Sequence, residues 1–123
     1  MEQKICLDTD VVISILNNEE RAQRAIDKIE KATVFITTIT LFELLLRKTN
    51  LEAIEAFRNK VSVLEFSEDA ARRASSIFKD LKNQGRITDI RDIFIAAICT
   101  TTRCTLLTFN TKHFEHVKEL EML

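Results

Sequence analysis

A chain of 123 residues with 46% hydrophobic and 30% charged side chains carries enough apolar mass for one compact core, and its formal net charge is −1. That balance excludes a disordered chain, which needs low hydrophobicity and high net charge, and a molecule coated in basic charge for passive nucleic-acid binding. With one glycine, Gly85, and no proline, a P-loop, a dinucleotide fingerprint and a G-x-S-x-G elbow are all out of reach, since each needs several glycines.

In chain order, Lys4 to Leu7 reads as a short buried strand, and Asp10 as the N-cap of a helix running to Leu16. Glu19 to Lys31 places Ala22, Ala25, Ile26 and Ile29 at helical spacing. The β-branched run Thr33 to Thr37 reads as a strand. Thr40 to Lys48 reads as a helix with Glu43 in its first turn and basic residues at its end, which suits the helix dipole. Leu51 to Lys60 is a further helix and Val61 to Phe66 a strand. Ser67 caps a long helix from Glu68 to Asn83, with Gly85 just past its end. Thr88 is expected to cap a helix from Asp89 to Thr101, followed by a strand from Thr105 to Thr108, a short helix from Thr111 to Val117 and an edge strand at the last residues.

No Gly- or Pro-rich linker and no repeat divides the chain, so residues 1–123 are expected to form one domain. The alternation implies an α/β fold: a central parallel sheet of four to five strands flanked by helices on both faces. In such a sheet ligands sit beyond the carboxyl ends of the strands, where the strand order reverses. The three cysteines, Cys6, Cys99 and Cys104, lie in apolar runs without a C-x-x-C, which suits buried free thiols in a reducing cytoplasm. Glu2 and Asp8 interrupt the start, so no signal peptide is read, and no apolar run approaches the ~20 residues that span a membrane. The expectation is a cytoplasmic protein without a membrane partner.

Most of the nineteen carboxylates lie in charged helical surroundings, but Asp8, Glu43 and Asp92 sit among strongly apolar neighbours. A carboxylate so placed is paired, caps a helix or holds a cation, because an unpaired buried charge is costly. Taken singly, Asp8 could flank a helix, Glu43 could complement a dipole, and Asp92 could pair with Arg91 or Arg86. Together, on the expected topology, they project into one crevice, where Mg²⁺ or Mn²⁺ would offset their repulsion, orient a phosphodiester and activate water. Asp89 and Asp10 read as capping residues before ligands, and His113 and His116 as surface histidines before zinc ligands. Arg86, Arg91 and Lys112 are the expected phosphate contacts on the rim, with Arg47, Lys48 and Arg103 as lesser candidates. Phe109 reads as packing before base stacking.

Four segments, LDTDVVISIL, ITTITLFELL, DIFIAAI and LLTFNTKHF, occur in an order and spacing that closely resemble PIN-domain ribonucleases of the VapC toxin type. The resemblance covers almost the whole chain. It implies a PIN-like sheet with an acidic Mg²⁺ site and endoribonuclease activity. It also implies a cognate antitoxin and a homodimer. It assigns catalytic and metal-binding roles to Asp8, Glu43 and Asp92, and a supporting role to Thr108 and Asn110. Many members carry a fourth acid where Asn110 or His113 stands here, which puts a second metal in doubt. For the dimer surface, Leu44 to Leu46 and Ile54 to Phe57 are the expected segments. The alternatives are a housekeeping PIN nuclease, or a non-catalytic regulatory module such as a phosphoacceptor receiver, which would need an aspartate after the third strand.

Overall fold

The computed structural model describes residues 2–123. Its elements run β1 (Lys4–Leu7), α1 (Thr9–Leu16), α2 (Glu20–Ile29), β2 (Thr33–Thr37), α3 (Thr38–Leu45), α4 (Leu51–Arg58), β3 (Ser62–Leu64), α5 (Glu68–Asn83), α6 (Ile90–Thr102) and β4 (Thr105–Leu107), then a single 3₁₀ turn at Thr111–His113. The four strands form one sheet in the order β3-β2-β1-β4, with every pairing parallel. Met122 adds a parallel bridge beside Leu106, so the expected edge strand is reduced to one bridge.

Helices cover both faces because β1 is apolar on both. Ile5 and Leu7 pack with Val11, Val12, Leu44 and Ile54 on one side. Cys6 and Leu106 pack with Ala74, Ile77, Ile95 and Ile98 of α5 and α6 on the other. All three cysteines are buried and free. Leu44 and Ile54, expected near a dimer surface, instead face the core at 1% exposure each. Among the described residues no helix is long and apolar enough to cross a membrane.

Helix starts differ from the sequence expectation in an instructive way. Asp8, not Asp10, caps α1, and its side chain accepts from Thr9 N. Thr37 caps α3 through Thr40 N, so α3 begins earlier than expected and Glu43 falls in its second turn. Asp89, not Thr88, caps α6 through Arg91 N. Ser67 caps α5 as expected. The helix expected from Thr111 to Val117 closes only one 3₁₀ turn. The strand order reverses between β1 and β4, so the carboxyl ends of these two strands define the crevice where a ligand belongs.

Candidate active site

The crevice is built around Asp8, the first residue past β1. As an N-cap it stands where β1 hands over to α1, and Asp8 N donates to Leu107 O at 2.9 Å, tying it to the end of β4. Its Oδ1 accepts from Thr9 N at 2.8 Å and its Oδ2 from the Thr108 hydroxyl at 2.8 Å. The residue is only 6% exposed. Burial, then the charges of Asp10 and Asp92, push its carboxyl up to about 6, and the bonds from Thr108 and Thr9 pull the other way. Among the described residues no basic side chain pairs with it, and its two oxygens rest on two neutral donors.

Glu43 reaches the same place from α3. Its Oε1 accepts from the Thr9 hydroxyl at 2.8 Å, and that hydroxyl lies 3.1 Å from the one on Thr40. Thr9 therefore joins Asp8 to Glu43: its amide serves one carboxylate and its hydroxyl the other. The Arg91 guanidinium stands 3.5 Å from Glu43 Oε2. Asp92 enters from the first turn of α6, with Oδ2 3.2 Å from His113 Nδ1. Burial foremost, and the charges of Asp89 and Glu43, raise its carboxyl, opposed by His113. Asp8 thus feels Asp92, and Asp92 feels Glu43, across one shared field.

Asp10 does not cap a helix. Its Oδ2 accepts from Phe109 N at 3.1 Å, stitching α1 to the segment after β4. Its Oδ1 is buried without a hydrogen-bond partner among the described residues, and burial raises its carboxyl. Thr108 accepts from Asn110 N at 3.0 Å while donating to Asp8, so Asn110 meets the site through its backbone amide. The Phe109 ring carries the Arg21 guanidinium 4.3 Å from its centroid, which covers that face against a stacking base.

The basic residues divide. Arg86 and Lys112 border a cavity of about 320 Å³ beside Asp92, together with Asp89, His113 and His116, over Leu81 and Val117. Arg91 turns instead to the acids, bonding Asp89 at 3.2–3.3 Å as well as facing Glu43. The Asp89 carboxyl is accordingly held low, by Arg91 above all. Arg103 ends α6 in a left-handed conformation, at the end of the helix opposite Asp92 and away from the crevice. His116 lies 3.2 Å from Glu115.

Sequence reasoning singled out the three acids but passed over Thr9 and Thr40, whose hydroxyls lie at Glu43 and beside Asp8. The signal for Thr9 was its position between Asp8 and Asp10 at a helix start, where a hydroxyl reaches neighbouring carboxylates. His113 lies on the surface, as expected, but its contact with Asp92 was not foreseen. Among the described residues, no three acidic, histidine or cysteine side chains are already gathered in coordinating positions. Glu43 is engaged by Thr9 and Arg91, and Asp92 by His113.

A parallel α/β domain with carboxylates at the reversal of its strand order has the architecture expected of a small nuclease-like domain. The PIN domain family model matches residues 5–120, and the chain belongs to this family. It is 29% identical to the tRNA(fMet)-specific endonuclease VapC of Shigella flexneri, over 93% of this chain and 92% of that protein. It is 32% identical to ribonuclease VapC3 of Methanocaldococcus jannaschii, over 75% of this chain and 94% of that protein. The crystal structure of DNA-bound VapBC from Salmonella typhimurium superposes with a TM-score of 0.85 and 25% identity, covering 98% of this chain and 97% of that one.

Proposed function

We propose that the chain is the endoribonuclease toxin of a VapBC-type pair, hydrolysing RNA phosphodiesters at a divalent-cation site formed by Asp8, Glu43 and Asp92. The observation that carries this reading is the approach of three carboxylates, from the end of β1, from α3 and from α6, to the reversal of the strand order, with no lysine or arginine paired with Asp8 among the described residues. A donor set of carboxylate oxygens suits a hard cation, Mg²⁺ or Mn²⁺. The burial that pushes Asp8 to about 6 leaves its anion waiting for a positive partner.

When bound, such an ion lowers the pKa of water and offsets charge on the phosphate. The chain's own residues supply the rest. Thr108 and Thr9 fix Asp8 by its two oxygens. Thr9 fixes Glu43. The three cysteines are buried in the core, so hydrolysis here uses no thiol nucleophile. Arg86 and Lys112 line the cavity next to Asp92 and would hold RNA phosphates there. Thr108 and Asn110 support the site through the hydroxyl bond to Asp8 and the amide bond behind it.

An antitoxin partner and a homodimer complete the reading. Phe42, Leu45, Leu46 and Leu51 leave an apolar ridge exposed along α3 and the start of α4, which supplies surface for a protein partner. The receiver-like alternative loses support, since β3 ends at Leu64 and the chain continues into Glu65-Phe66 without an aspartate.

Total cellular RNA incubated with the purified protein tests the proposal. Discrete fragments should appear with Mg²⁺ or Mn²⁺, and vanish with chelation or with Asp8→Asn. Cleavage that persists in an Asp8→Ala, Asp92→Ala double variant, or no cleavage with either ion, overturns it.

A further inference from the structure

The three acids of the crevice are not held alike. Asp8 accepts from Thr9 N and Thr108. Glu43 accepts from Thr9 and faces Arg91. Asp92 has one polar side-chain partner among the described residues, and that partner is His113, at 3.2 Å from Nδ1 to Oδ2. We propose that His113 is a positioning residue for the cation site, its imidazole holding one oxygen of Asp92 and leaving the other for the ion. The proposal rests on the nuclease reading above and goes beyond it, since that reading gives His113 no role.

The backbone explains how an exposed histidine comes to do this. The chain leaves β4, binds Thr108 to Asp8, and closes a 3₁₀ turn over Thr111–His113 that His113 N completes by donating to Asn110 O at 3.0 Å. The next residue, Phe114, is 1% exposed and anchors this turn in the core cluster under α5 and α6. This path carries His113 to the first turn of α6, where its Nδ1 lies 3.2 Å from Asp92 Oδ2. The imidazole has no other ion-pair partner among the described residues. His116, which lines the same cavity, is instead beside Glu115 and serves as an internal comparison.

The physical consequence is preorganisation. A carboxylate in a half-buried first turn samples several rotamers, and the site must bring it to within a few tenths of an ångström of its ligating geometry. A donor on one oxygen removes that freedom before the ion arrives. Hydrogen-bonding partners of ligating groups typically carry about 10–100-fold in metal affinity. Either the neutral imidazole with its proton on Nδ1 or the imidazolium makes this contact, so the role does not depend on a change of protonation.

The test is Mn²⁺ binding to the purified full chain, read from the EPR signal of free Mn²⁺, with thermal unfolding run alongside to confirm folding. His113→Ala should weaken Mn²⁺ binding by about 10-fold or more. His113→Asn, whose amide N–H can take the place of Nδ1–H, should restore most of the affinity. His116→Ala should bind as the parent does. The inference is overturned if His113→Ala binds Mn²⁺ as tightly as the parent, or if His113→Asn loses as much as His113→Ala. It is also overturned if pulsed EPR shows the coupling of a directly bound imidazole nitrogen, which would make His113 a ligand. A parent that binds Mn²⁺ no better than Asp92→Ala removes the nuclease reading and the inference with it.

Discussion

Asp8→Asn should make the metal-free protein more stable at neutral pH while removing its activity. The folded chain holds the Asp8 carboxyl at about 6 against an ordinary 3.8. A rise of that size disfavours the folded, ionised state by about 3 kcal/mol. The sign follows from linkage: the folded chain binds the proton more tightly than the unfolded chain. The penalty is therefore absent below about pH 4, grows as pH rises, and is fully present above about pH 6. Asparagine carries no charge to desolvate, and its side-chain oxygen can still accept from Thr9 N. It cannot accept from Thr108 as well, which returns about 1 kcal/mol. The net expectation is a gain of about 2 kcal/mol near pH 7.5 that vanishes near about pH 4.5 and turns into a loss of up to about 1 kcal/mol at lower pH. Urea unfolding in chelator, followed by far-UV circular dichroism at several pH values, measures it. Adding Mg²⁺ should then raise the midpoint of the parent and leave that of the variant unmoved. A variant less stable than the parent near neutrality, or a difference that ignores pH, refutes the claim that a buried anion is under strain at the end of β1.

Other consequences are quicker to check. Glu43→Gln should lower metal-dependent RNA cleavage by more than about 100-fold with little change in melting temperature, because the amide still accepts from Thr9; a gel assay with paired melts decides it. Thr108→Val strips Asp8 of one donor and leaves Asn110 N without its acceptor, so thermal unfolding should report a loss of about 1–3 kcal/mol. The Cys99 thiol is pushed well up, chiefly by its contact with Cys6 and then by burial, and burial also raises Cys104. Native protein should thus resist iodoacetamide near neutral pH while unfolded protein reacts, as intact-mass spectrometry will show.

The strands and most helices could be read from the sequence because their signals are local. The β-branched run Thr33–Thr37 is β2, and Ser67 caps α5 at the expected residue. The element order and the parallel sheet followed from periodicity alone. What sequence did not reveal depends on partners distant in the chain. Asp10 looks like a cap because aspartate favours that role, but Asp8 does that work and Asp10 is drawn 99 residues along the chain to Phe109 N. Glu43 looked like a first-turn residue because the start of α3 depends on Thr37, a strand residue that doubles as a cap. His113 is a surface residue, as expected, but its contact could not be read, since nothing near it in sequence is acidic at a helical spacing. Its partner Asp92 lies on another element and is met only when the chain folds back from β4.

Two ties across the reversal point, Thr108 to Asp8 and Phe109 N to Asp10, do more than steady the fold. Each spends a good hydrogen bond on a carboxylate that burial pushes upward, so the bonds only partly offset the desolvation they sit beside. A domain selected for stability alone would place asparagine or serine there and lose nothing in capping α1. The retention of two half-starved anions between β1 and β4, with Asp92 and Glu43 added from α6 and α3, is stability forgone at one place. A cation bound there would relieve that electrostatic strain and return the stability the two anions forgo.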